Sequence, residues 1–161
     1  MMIKTVKRHR YKDKKIFQTR ILSFDAYPYS EIDLVIGLIQ DNLTEDLLKG
    51  RKSLMYKDDI KTNKYYGHCY HSSQALHYLM DCDILIPMSG EDYRGEKHWW
   101  LQDGQKIYDC TANQYLDKGK LPPYDIGKKS KWYGWKQRPQ QISLDLMVRV
   151  LGHNNVQDST L

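Results

Sequence analysis

The chain has 161 residues, 40% of them hydrophobic, with a mean hydropathy of -0.73 and a formal net charge of +5. That length suits one domain with a modest core, and no run of about 18 apolar residues or signal-like segment occurs, so neither a membrane span nor secretion is expected. The cysteines, Cys69, Cys82 and Cys110, are odd in number and none has CxxC spacing. This argues against a disulfide framework and a cysteine-rich zinc site, and points to a reducing, cytoplasmic setting.

Positive charge gathers at the start, in KTVKRHRYKDKK (residues 4–15). Residues 1–15 are read as a solvated basic arm whose sharper alternative is weak contact with nucleic acid. Residues 16–24, IFQTRILSF, allow one short strand or a strand and turn. Ser30 then caps an expected helix, SEIDLVIGLIQ, with Asp33 three residues on and Ile32, Val35, Ile36 and Ile39 at helical spacing. A second short helix, TEDLLKG, begins at Thr44 and ends at Gly50, and residues 51–66 read as an exposed connection. The segment 67–80, GHCYHSSQALHYLM, predicts a helix with Ala75, Leu76, Leu79 and Met80 on its apolar stripe and Gly67 in the turn before it. After the apolar run DILIPM and the loop SGEDYRGE comes a hairpin, KHWWLQDGQKIYD, at 97–109. The stretches 121–124 (LPPY) and 127–139 (GKKSKWYGWKQRP) look irregular, a last helix ISLDLMVRVLG closes at Gly152, and the tail 153–161 is expected to be disordered. The order predicts a single α+β domain over 16–152, with N-terminal helices packed on a small antiparallel sheet.

The hairpin carries the first functional signal. Asp103-Gly104 is the dipeptide that two-residue type I′ turns prefer. With that turn, Trp99 faces Tyr108 and His98 faces Asp109, on one side of the ladder. A carboxylate there fixes an imidazole's tautomer and raises its basicity. On a sheet, such a pair can equally be structural.

Cys69 supplies a third group, at the first turn of the 67–80 helix. Helix N-termini carry unpaired N–H groups and favour negative charge, which promotes thiolate formation. The plainer reading is a small buried hydrophobe, the commoner fate of cysteine. Cys82 reads as core and Cys110 as a strand residue facing away from Asp109. His68 and His71 flank Cys69, but H-C-x-H gives poor geometry for tetrahedral zinc, so no metal is expected.

Gly67-His68-Cys69, His98-Trp99-Trp100 and Asp109-Cys110-Thr111, in this order, resemble the transglutaminase-like branch of the papain-like cysteine enzymes. The resemblance spans residues 67–111. It implies a transglutaminase-like/papain-like core, with Cys69 as nucleophile, His98 as general base and then acid, and Asp109 as orienting carboxylate. GHCYHSSQAL, HWWL, YDCTANQY and PPY are also similar to small bacteriophage proteins, a likeness that brings no activity with it but implies a host cytoplasm. The chain departs from longer transglutaminases in lacking their extra β-domains. It also has no clear Gln just before Cys69 as an oxyanion donor; the N–H of Cys69 with Asn63, Tyr65 or Gln40 stands open.

The chemistry expected is thiol-dependent acyl transfer on a protein or peptide-like amide, with no cofactor. Trp99, Trp100, Trp132 and Trp135 are candidate walls of a substrate groove, with simple packing as the alternative. Two other classes compete: a catalytically silent scaffold that binds a host protein, and a nucleic-acid binder using the basic arm and the aromatics.

Overall fold

The computed structural model describes residues 7–8, 24–134 and 139–153. Apart from Lys7 and Arg8, the basic arm lies outside the described residues, as do most of the expected strand at 16–24, Trp135, and the tail beyond His153. Strand β1 (Lys7–Arg8) pairs antiparallel with β2 (Phe24–Asp25).

Helix α1 (Ile32–Asp41) buries Ile32, Val35, Leu38 and Ile39, the i, i+3, i+4 stripe of a core-facing helix. Ser30 makes no cap. It lies in a 3₁₀ turn, Tyr29–Glu31, in which the Glu31 N–H donates to the Pro28 carbonyl at 2.8 Å, so backbone replaces the expected side-chain bond. The expected helix after Thr44 is a single 3₁₀ turn, Glu45–Leu47. Residues 51–66, read as a connection, hold two short helices, α2 (Arg51–Met55) and α3 (Asp59–Thr62). Neither buries a residue completely, so no apolar periodicity announced them.

Helix α4 (Cys69–Met80) occupies the middle of the fold, against α1, the sheet and α6 (Gln141–His153), the helix that follows the short α5 (Asn113–Leu116). Ten of its twelve residues are buried, including His71, Ser72, Ser73 and Gln74. Polar burial on this scale needs partners. Ser73 Oγ donates to the Trp99 carbonyl at 3.2 Å, and Gln74 Oε1 accepts from Ser143 Oγ at 2.7 Å. The helix ends at Asp81, whose φ of 45° is the left-handed conformation that Asp tolerates better than most residues.

The main sheet is antiparallel, in the order β5-β4-β3-β6: β3 is Ile86–Glu91, β4 Lys97–Asp103, β5 Lys106–Tyr108 and β6 Lys128–Lys129. The expected α+β class holds at this level, with a four-stranded sheet and six α-helices among the described residues. The hairpin register differs from the sequence expectation by two residues: Asp103 pairs with Lys106 and Leu101 with Tyr108. Gly104 (φ 59°) is the first loop residue and the only one of the two with positive φ, the pattern of a type II′ turn. A slip of two leaves every side chain on its original face. Alternation along β4 places Trp99 against Tyr70 of α4, and His98 and Trp100 on the opposite face, beside Tyr115 and Tyr124.

Candidate functional site

Cys69 is the first residue of α4, reached through a turn that only glycine can make. Gly67 has φ 82°, and a Cβ on it would sit 2.7 Å from the Tyr56 ring. This close approach sets Tyr56 beside the helix tip. The thiol is partly exposed, and its sulfur lies 3.9 Å from the Lys97 carbonyl at the start of β4. Cys82 and Cys110 are buried, and burial pushes the Cys110 thiol pKa up.

His98 follows Lys97 and is fully excluded from solvent. Its Nε2 meets Asp109 Oδ2 at 2.6 Å. Because of the shifted register the two are diagonal rather than directly opposed, still within reach for side chains of this size. Trp100 stacks beside the imidazole at 5.8 Å, and the Tyr115 ring meets it edge-on at 4.7 Å. Burial lowers the ring's proton affinity. The charge and hydrogen bond of Asp109, and then the Cys69 thiol, more than offset this and push the pKa up to about 10. With Nε2 committed to Asp109, the nitrogen left for the thiol is Nδ1, which is buried and has no other hydrogen-bond partner among the described residues.

Asp109 is itself clamped. Oδ1 accepts from the Thr111 N–H at 3.0 Å, and Oδ2 accepts from the Tyr124 hydroxyl at 2.8 Å as well as from His98. Sequence reasoning missed Tyr124. It arrives from a 3₁₀ turn, Tyr124–Ile126, and the one available signal was Pro122-Pro123, which stiffens the chain before it. Gly127 closes the layer: a Cβ there would collide with the Trp100 ring.

A cleft of about 290 Å³ opens over the cysteine. Lys52, Tyr56, Arg94, Lys97, Tyr115 and Tyr133 line it with Cys69. Of the tryptophans expected to wall a groove, Trp99 lines it. Trp100 and Trp132 do not: they are 0% and 6% exposed, Trp100 packing on Tyr124 and Trp132 stacking on Trp99 at 5.5 Å. Large rings packed on either face of β4, Trp132 on the α4 side and Trp100 on the Tyr124 side, gain more from full burial than from forming a rim. Trp135 lies outside the described residues. The oxyanion candidates Asn63, Tyr65 and Gln40 are also absent from the lining; Gln40 and Asn63 donate to the carbonyls of Cys110 and Asn113. Gln114 and Gln140 are the amides that line the cleft.

His68 and His71, beside the cysteine, form their own pair, Nδ1 to Nε2 at 2.7 Å, with both rings fully buried. Burial, reinforced by the Lys52 charge, pushes His68 down to about 4 and His71 well below its ordinary value. Among the described residues no group of three or more His, Cys, Asp or Glu side chains is placed to hold a metal ion, and no helix is long and apolar enough to cross a membrane. Comparison with protein-family models, with curated proteins and with solved structures gave no match.

Proposed function

We propose that the protein is a thiol-dependent acyl-transfer enzyme with a Cys69-His98-Asp109 triad, acting on a peptide-like amide or related carbonyl. The observation that carries this reading is the division of the His98 ring: one nitrogen bonded to a clamped carboxylate at 2.6 Å, the other unpartnered beside a partly exposed cysteine at a helix tip. In the proposed reaction His98, whose raised pKa keeps the ring charged near neutral pH, already holds the proton lost from the Cys69 sulfur as that sulfur bonds to the carbonyl carbon. The protonated ring then gives that proton to the leaving amine as the carbon–nitrogen bond breaks. Asp109 holds the ring in place and stabilises its charge. Attack by water, with His98 as base, regenerates the thiol and releases an acid; attack by an amine yields a new amide.

The finer fold reading is part of the proposal. A helix that opens at the cysteine, packed on a strand carrying the histidine and followed by Asp109-Cys110-Thr111, is the arrangement expected of a transglutaminase-like core. A reducing compartment suits it, since all three cysteines are unpaired.

The test uses a panel of p-nitrophenyl esters and peptide p-nitroanilides. Cys69→Ser should unfold at the same denaturant concentration as the parent protein and lose all turnover of any substrate found. Iodoacetamide at neutral pH should label Cys69 well before Cys82 and Cys110. Undiminished turnover in the serine variant, or labelling of Cys69 no faster than in the unfolded chain, removes the nucleophile and the reading with it.

A further inference from the structure

We propose that the cleft selects an acyl donor carrying a carboxylate near the scissile carbonyl, bound by Lys52 and Lys97. This rests on the reading of Cys69 as the nucleophile. The cleft contains three cations, Lys52, Arg94 and Lys97, and two carboxylates, Asp92 and Glu96. Both carboxylates are taken by the same cation: the Arg94 guanidinium lies 2.8 Å from Glu96 and 3.5 Å from Asp92. Asp92 also accepts from the Tyr115 hydroxyl at 2.7 Å and from the Arg94 and Glu96 N–H groups. Arg94 is therefore a neutralised brace for the loop between β3 and β4.

Neither lysine has such a partner among the described residues. Lys52 Nζ lies 5.8 Å from the centre of the Tyr70 ring, and Lys97 Nζ lies 5.8 Å from those of both Trp99 and Tyr133. An aromatic face positions an ammonium without cancelling its charge. Lys52 is half-buried, and burial lowers its pKa against the opposing influence of the Cys69 thiol, which is close enough to register. A desolvated cation without a counter-charge gains when an anion arrives. Lys52 is such a cation, and the exposed Lys97 adds a second positive charge on the lining that holds the partly exposed sulfur, so the pair favours a ligand with one negative charge a few bonds from its reacting carbon.

Iodoacetate and iodoacetamide serve as probes, because they alkylate the same sulfur and differ chiefly in one charge. Their rate ratio at Cys69 cancels any effect of the lysines on the thiol itself. In the folded protein the iodoacetate-to-iodoacetamide ratio should exceed that of the urea-unfolded chain. Lys52→Gln and Lys97→Gln should each lower it about threefold, and the pair about tenfold, which is the scale of one screened charge at close range. Lys97→Arg should retain it, and 1 M salt should erase most of it. A ratio equal to that of the unfolded chain, or unchanged in the double variant, overturns the inference while rapid iodoacetamide labelling leaves the nucleophile standing. Slow labelling by both reagents overturns the two together. Where the preference holds, protection of Cys69 by N-acetylglutamate α-amide assigns a side-chain carboxylate, and protection by N-acetylglutamine a chain-end one.

Discussion

Two histidine contacts lie side by side in this fold and behave in opposite ways. His98 meets Asp109 at 2.6 Å and His68 meets His71 at 2.7 Å, and all three rings are fully buried. Yet His98 is pushed up to about 10 and His68 down to about 4. Burial alone disfavours the charged ring in every case. The difference is the partner: a carboxylate supplies a compensating charge, whereas a second imidazole supplies only a hydrogen bond. The same kind of ring is thus made a proton store in one place and a neutral packing element in another.

The comparison breaks most directly at Asp109. Asp109→Asn keeps the size of the side chain and removes its charge, so His98 should come to resemble His68. NMR titration should then find its pKa below the ordinary 6.5, and denaturant unfolding should register a loss of about 3–5 kcal/mol, the usual cost of orphaning one member of a buried pair. A ring that still titrates above 6.5 would mean that something other than the carboxylate holds the proton. Tyr124→Phe has a smaller expected effect. It removes one hydrogen bond to a charged acceptor, for about 1.5–3 kcal/mol of unfolding free energy, and should slow Cys69 alkylation by loosening the carboxylate that orients the ring. Smallest is His71→Met, at about 1 kcal/mol near neutral pH, because the hydrogen bond between His68 Nδ1 and His71 is lost. Its value is in the pH dependence, because His71 is itself a buried ring with a lowered pKa and the variant removes that share of the acid-side decline. The folded pKa of His98 is raised, so its contribution is complete below pH 6.5 and is lost as pH rises through about 10. The folded pKa of His68 is lowered, so its contribution is complete above pH 6.5 and is lost as pH falls toward 4. Unfolding free energy should therefore decline on both sides of pH 6.5, and His71→Met should flatten only the acid side.

The residues of the candidate triad were legible because each sat in a local pattern: Cys69 after a turn glycine at a helix start, His98 and Asp109 on the arms of one hairpin. The assigned register was wrong, since Gly104 opens the loop as a II′ turn rather than closing a I′ one. The face assignment survived because the error was an even number of residues. What lay beyond reach depended on contacts distant in sequence. Tyr124 reaches Asp109 from fifteen residues further along the chain, past the short helix Asn113–Leu116. The polar side of α4 gave no hint of burial, because His71, Ser73 and Gln74 are covered by elements remote from them in sequence. The tryptophans misled for a related reason: composition announces aromatic area but does not tell a core ring from a rim ring, and Trp100 is core only because Gly127 leaves room for it.

The outer strands of the main sheet are brief, Lys106–Tyr108 on one side and Lys128–Lys129 on the other, so three of their five residues are lysine. A ladder that short and that positive gives a second molecule almost nothing to zip onto, and like-charged rims repel one another as they approach. Concentrated preparations should resist amyloid-like growth along these borders, so slow loss of material on storage would point to thiol oxidation rather than to strand exchange.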